Sequence, residues 1–154
     1  MYKLIICLAI VLTPATVTAT DLSESKVSSL AKCIGYSTSF DKKTLDEKRS
    51  SLAMIFKSYF ESVHALMKTE GWVSSQKDNL FHELNGKDQS PDFYAGYILS
   101  GIVQAEQTSI RKYAETRFKE SNGVGDLGTL WNEEAVKRFN ESNCALIKQP
   151  SLAR

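Results

Sequence analysis

Residues 44–69 read TLDEKRSSLAMIFKSYFESVHALMKT, and this stretch decides the fold. Its apolar residues recur every three or four positions and project within about 60° of one line at 100° per residue, which predicts an amphipathic helix. Thr44 and Glu47 have the spacing of a capping box, so we expect the helix to begin at Thr44. Gly71 follows the last apolar residues and is expected to end it.

The same periodicity predicts four more helices and therefore an all-α fold, a compact bundle of four to five helices. They are expected at about 22–36, 73–85, 90–121 and 129–142. The first should bury Val27, Leu30 and Ile34, and the last should bury Trp131, Ala135 and Phe139. No segment shows the alternation of a half-buried strand.

The helix over 90–121 has a distinct pattern. Ser90, Pro91 and Asp92 supply a cap, a proline at the first helical position and an acid at the positive end of the helix dipole. From residue 93 to residue 105 the apolar side chains point nearly all round, which is typical of a helix surrounded by others. Gly96 and Gly101 would then allow neighbouring helices to approach closely. We therefore predict that this is the central, all-round apolar helix of the bundle.

Residues 1–19 have the pattern of a cleavable signal peptide. Lys3 precedes an unbroken apolar run over 4–12, and small residues precede the expected cleavage between Ala19 and Thr20. The run has nine residues, and a membrane-spanning helix needs about 20. We predict an exported protein, periplasmic if bacterial and otherwise secreted. Its single helical domain should span 20–149, followed by a frayed tail over 150–154.

Two cysteines remain in the predicted mature chain, Cys33 and Cys144, because Cys7 lies in the signal peptide. In an oxidising compartment we expect them to form one disulfide that clasps the domain. An ideal last helix would point Cys144 away from its buried face. Either that helix breaks near residues 142–143, or Cys144 lies on a second buried side near Leu130 and Ile147.

Charge argues against a nucleic-acid partner. Without Lys3 the mature chain holds 18 basic residues, which is 19 minus one, and 18 acidic residues. Nucleic-acid binders usually carry a basic excess that neutralises phosphates. No second long apolar stretch follows the signal, so we also expect no stable membrane insertion after cleavage.

No motif of catalysis or cofactor binding has its required context. Residues 123–128, GVGDLG, match the dinucleotide fingerprint GxGxxG, but a helix end rather than a strand precedes them. They are interpreted as a loop between helices. His64 and His82, the two histidines of the chain, lack metal-site spacing, and we expect no metal and no cofactor. A carboxylate pair could still make an enzyme. The candidates are Glu61, Glu70, Glu83, Glu106 and Glu115.

Aromatic residues are the remaining candidates for contacts, although at helical spacing such residues usually form core. They are Trp72, Tyr94, Tyr97, Tyr113 and Trp131, with Tyr94, Tyr97 and Trp131 preferred as ligand or partner contacts.

Three hypotheses for function follow. The first is an exported, non-enzymatic helical protein that acts on a protein partner as an inhibitor, immunity protein or chaperone. A small helical domain with one disulfide resembles, in architecture alone, the periplasmic immunity proteins that neutralise cell-wall-degrading toxins. The second hypothesis is a secreted carrier of a small apolar ligand between helices. The third is an enzyme with an unrecognised carboxylate site.

Overall fold

A computed structural model describes residues 19–70, 72 and 90–146, with side chains from residue 24 onward in these ranges. Four α-helices and a 3₁₀ turn make up this part: α1 (Ala19–Ser37), α2 (Lys42–Leu66), α3 (Pro91–Glu120), α4 (Leu127–Glu141) and the turn Cys144–Leu146. The all-α bundle is confirmed. The predicted helix over 73–85 and the tail over 150–154 lie outside the described residues, as does the predicted signal peptide over 1–19 except for Ala19. Thr20, expected after the cleavage point, lies in the first turn of α1.

Helix α2 begins two residues before the predicted start. Asp41, not Thr44, is its N-cap: the Thr44 backbone N–H donates to Asp41 Oδ1 at 2.7 Å, so the predicted capping box was wrong. A carboxylate satisfies free N–H groups and favours the positive end of the helix dipole. The hydrogen bond from the Thr44 backbone is the main cause that lowers the pKa of Asp41. At the other end, α2 stops at Leu66, before Gly71.

The starts of the last two helices are also set by caps. Ser90 accepts the Phe93 backbone N–H at 3.2 Å and Pro91 follows, as predicted. Helix α4 begins at Leu127 rather than 129, because Asp126 Oδ2 accepts the Thr129 backbone N–H at 2.7 Å. That bond is the largest cause of the lowered pKa of Asp126.

Within the described residues, α1 and α3 each contact the three other α-helices, but α3 is not buried on all sides as predicted. Helix α1 contacts α2, α3 and α4, and its predicted inward residues Val27, Leu30 and Ile34 are buried. Only Ala95, Ile110 and Ala114 of the 30 residues of α3 are buried. The close approach occurs at Gly35 of α1, where an added Cβ would lie 3.1 Å from Glu106 Cβ. Among described atoms, nothing lies within 4 Å of a Cβ at Gly96 or Gly101.

Cys33 and Cys144 form the expected disulfide, with 5.7 Å between their Cα atoms and 111 residues between them in sequence. The first of the two predicted geometries is confirmed: α4 ends at Glu141, and Asn143 adopts a φ of 54°. Asparagine tolerates this left-handed conformation better than most residues. The reversal turns Cys144 into the core, where both cysteines are buried.

The core around the disulfide is closed. Phe40, which follows α1, meets Phe139 of α4 edge to face, with 5.4 Å between ring centroids. Phe139 and Ala135 are completely buried, as predicted, whereas Trp131 is half-buried. No helix in the described ranges is both long and apolar enough to cross a membrane.

Candidate binding cleft

A partly open cleft of about 290 Å³ lies between the first half of α1, the end of α2 and the first half of α3. The described residues that line it are mostly apolar or aromatic, and among them Glu24 is charged while Ser28 and Tyr94 carry hydroxyl groups. The residues that line it are Glu24, Val27, Ser28, Leu66, Trp72, Tyr94, Ile98 and Ile102.

Helical spacing places these side chains on facing surfaces. Residues three or four apart share one face of a helix. On α3 the lining residues are four apart: Tyr94, Ile98 and Ile102. On α1 the lining residues Val27 and Ser28 lie three and four positions after Glu24. The cap at Ser90 fixes where α3 begins and hence which of its faces meets α1.

Trp72 and Tyr94 form the aromatic wall of the cleft. Their rings meet edge to face with centroids 5.0 Å apart. Both side chains are half-buried. Burial is the main cause that raises the pKa of Tyr94, while a hydrogen bond with Trp72 opposes the rise and the nearby Glu24 carboxylate adds to it. The wall is therefore largely removed from water and lies close to a negative charge.

Tyr59 joins α2 to α3 beside this wall. Its side chain is fully buried, and its hydroxyl donates to the Ala95 carbonyl oxygen at 2.6 Å. Burial raises the pKa of Tyr59 to about 12. Ala95 directly follows Tyr94, so this hydrogen bond holds the α3 backbone where the cleft begins.

His64 links the end of α2 to the start of α3. Its Nε2 lies 2.8 Å from Asp92 Oδ1, and both side chains are substantially exposed. His64 directly follows the buried Val63 on α2. In the described ranges, no group of three or more His, Cys, Asp or Glu residues could hold a metal ion. His82 lies outside those ranges.

A second polar cluster joins α3 to α4. Arg138 Nε donates to Glu134 Oε1 at 2.7 Å, and its Nη1 donates to Ser109 Oγ at 2.8 Å and lies 3.5 Å from Glu106 Oε2. Glu134 is buried. Since one arginine engages both carboxylates, the cluster acts as an internal connection between helices. Glu106 was one of the candidate catalytic acids, and Glu83 lies outside the described residues.

The three preferred aromatic contacts do not come together. Tyr94 lines the cleft, and Tyr97 lies on α3 with 57% of its surface exposed. Trp131 is not part of the cleft: the Arg111 guanidinium lies 5.3 Å from its ring, and its buried Nε1 finds no hydrogen-bond acceptor in the described part of the chain. Tyr113 is partly exposed and has Lys137 Nζ 5.8 Å from its ring.

Residues 123–126 of the glycine motif form a loop between helices, as interpreted, and the last two residues of the motif begin α4. Asn122, Gly123 and Gly125 have φ values of 57°, 75° and 121°, so the chain turns tightly between α3 and α4. The Asp126 carboxylate occupies the N-terminus of α4, where a bound phosphate would have to lie.

Sequence reasoning missed most of the cleft. Glu24, Ser28, Ile98 and Ile102 were not candidates, although their spacing of three and four on two helices was visible. Which two faces meet depends on the helix packing, which the spacing within one helix does not specify. Trp72 was included only among the general aromatic candidates.

Comparison with known proteins gives no relative: no protein-family model, no curated protein and no solved structure matches the chain.

Proposed function

We propose that the protein is an exported, non-enzymatic binding protein that acts through another exported protein, and that the cleft receives an anchor side chain of this partner. The observation that carries the proposal is the aromatic and aliphatic cleft between α1, α2 and α3. Interface hot spots typically bury one side chain in such a well-packed apolar site, surrounded by a polar rim.

The size of the cleft allows a side chain to enter. Cavities for small-molecule ligands typically measure about 300–1,000 Å³. At about 290 Å³, this cleft lies at the lower end of that range, and a single large side chain of a partner would fit into it. Tyr97, exposed on the same half of α3, would lie near the edge of the contact.

Export is supported by the signal-like sequence over 1–19 together with the disulfide. A bridge between buried Cys33 and Cys144 persists in an oxidising compartment, such as the periplasm or the extracellular space. A non-enzymatic role is supported by the arrangement of the acids. Glu106 and Glu134 both contact Arg138, and Glu61 lies 3.9 Å from Lys57.

A small apolar ligand is the second candidate. Its support is the aliphatic part of the lining, to which Val27, Leu66, Ile98 and Ile102 contribute. A ligand of this volume would be a short alkyl or aromatic compound. Native mass spectrometry of protein from its own source would then show a constant added mass that organic solvent removes.

Site-specific photo-cross-linking tests the proposal. The photoreactive residue p-benzoylphenylalanine replaces Tyr97 in one variant and Tyr113 in a second, since both are exposed tyrosines on α3. In the exported fraction of the source, we expect position 97 to give one cross-linked protein of defined mass, and position 113 to give none. Equal cross-linking from the two positions, or none from position 97, would reject the proposal.

A further inference from the structure

The described residues that line the cleft carry negative charge and no positive charge. Among the described residues that line it, Glu24 is the charged one. Its side chain is exposed and forms no ion pair within the described residues. All other lining residues are apolar, aromatic or hydroxyl-bearing. Among the described lining residues, an occupant with a positive charge would therefore meet an attractive carboxylate and no cation.

The aromatic wall favours the same charge. Aromatic faces attract cations within about 6 Å of the ring centroid. The described residues form three such contacts: Lys48 lies 5.6 Å from the Phe139 centroid, Arg111 lies 5.3 Å from that of Trp131, and the third pair is Lys137 with Tyr113. Tyr94 has no cation from the described residues over its ring, and the Glu24 carboxylate lies close enough to influence its hydroxyl group.

The aliphatic residues of the cleft also suit a basic side chain. Ile98 and Ile102 continue the line of Tyr94 along α3, and Val27 faces them from α1. Lysine and arginine carry three or four methylene groups that pack on apolar surface while the charged end stays near water. The isoleucines would contact the methylene stem of such a side chain. The aromatic wall and the Glu24 carboxylate would contact its charged end.

We infer that the anchor received by the cleft is a basic side chain, lysine or arginine, presented by the partner protein. This inference rests on the proposed function and specifies the chemistry of the partner. The stem of the side chain lies along Ile98 and Ile102, and its charge lies between Glu24 and the ring of Tyr94.

Two probes that differ mainly in charge test the inference on the purified full-length mature chain. The first is n-hexylammonium and the second is n-hexanol, each titrated while ¹H–¹⁵N NMR follows the Trp72 indole and the Ser28 amide. We expect n-hexylammonium to bind roughly threefold to tenfold more tightly, since the carboxylate and the aromatic ring each contribute a small factor. Equal affinities, or no binding of n-hexylammonium, would overturn the inference.

Two variants test whether Glu24 causes the preference for n-hexylammonium over n-hexanol. Glu24→Gln should remove the difference between the probes, whereas Glu133→Gln, an exposed acid on α4 outside the cleft, should preserve it. With the photoreactive residue at position 97, Glu24→Lys should abolish the cross-link to the partner. If the cross-link persists in Glu24→Lys, the basic-anchor inference fails although the proposed function stands. If position 97 gives no cross-link in the parent protein, the proposed function itself fails.

Discussion

The two halves of α1 belong to regions of opposite character. Glu24 and Cys33 are nine residues apart, which corresponds to about 13 Å along a helix. The second half belongs to the clasp region, which we define by Cys33, Phe40, Phe139 and Cys144, all of them buried. The first half belongs to the cleft region, defined by Glu24, Ser28, Trp72 and Tyr94, whose side chains are half-buried or exposed.

Under the proposed function, this difference would place stability and recognition in separate parts of the bundle. Each residue of the clasp region stabilises the fold, either because it buries apolar surface or because it forms the disulfide. The cleft region leaves part of its aromatic and aliphatic surface accessible, and a bound partner would bury it. Substitutions in the clasp region should therefore lower stability strongly, and those in the cleft region should change binding first.

The largest loss of stability is expected for Phe139→Ala. Phe139 is completely buried and packs against Phe40, so its removal leaves a cavity and should cost about 3–5 kcal/mol in free energy of unfolding. The control is Phe56→Ala, at a phenylalanine of α2 that is 38% exposed, where about 1 kcal/mol or less is expected. Urea unfolding followed by circular dichroism measures both, and equal losses would contradict a buried clasp region.

Removal of the disulfide should have the next largest effect. The double substitution Cys33→Ala with Cys144→Ala frees a loop of 111 residues in the unfolded chain and should cost about 2–4 kcal/mol. The same unfolding experiment on the unmodified chain with dithiothreitol provides the control, because reduction should give a similar loss. Two free thiols in the exported protein, or an unchanged midpoint without the bridge, would refute the clasp.

Tyr59→Phe should have a smaller effect that depends on pH. It removes the hydrogen bond to Ala95 and should cost about 1 kcal/mol near neutral pH. The folded-state pKa is raised to about 12, so the unfolded chain loses this proton first, near pH 10. The stabilising contribution of Tyr59 is thus complete below about pH 10 and is lost as the pH rises towards about 12.

The measurement is urea unfolding of both chains between pH 7 and pH 12. Tyr113→Phe serves as the control, because Tyr113 is partly exposed, and its stability should run parallel to that of the parent protein. If the difference between Tyr59→Phe and the parent stays constant across this range, Tyr59 is not buried as described.

Local signals in the sequence predicted most of the fold. The spacing of Val27, Leu30 and Ile34, and the start at Ser90 and Pro91, depend on neighbours within one or two turns. The disulfide followed from cysteine count and compartment. Asp41 and Asp126 lay just before the expected helix starts and were passed over as caps, although Asp is among the preferred residues there.

Long-range packing accounts for what could not be predicted. Apolar residues all round α3 indicated a central helix, yet Gly96 and Gly101 have no close neighbour among the described atoms, and the contact that needs glycine occurs at Gly35. The cleft combines residues as distant in sequence as Glu24 and Ile102. Its composition became visible only when the facing sides of α1 and α3 were known.

One comparison tests most directly the claim that the cleft region binds and the clasp region stabilises. Ser28→Trp fills the cleft from α1, whereas Ser29→Trp places the same side chain at the next, exposed position. Both are combined with the photoreactive residue at position 97 and measured for partner cross-linking and urea unfolding. We predict that Ser28→Trp loses at least about tenfold in cross-linking, while both variants unfold within about 1 kcal/mol of the parent. Undiminished cross-linking by a folded Ser28→Trp protein would contradict the account.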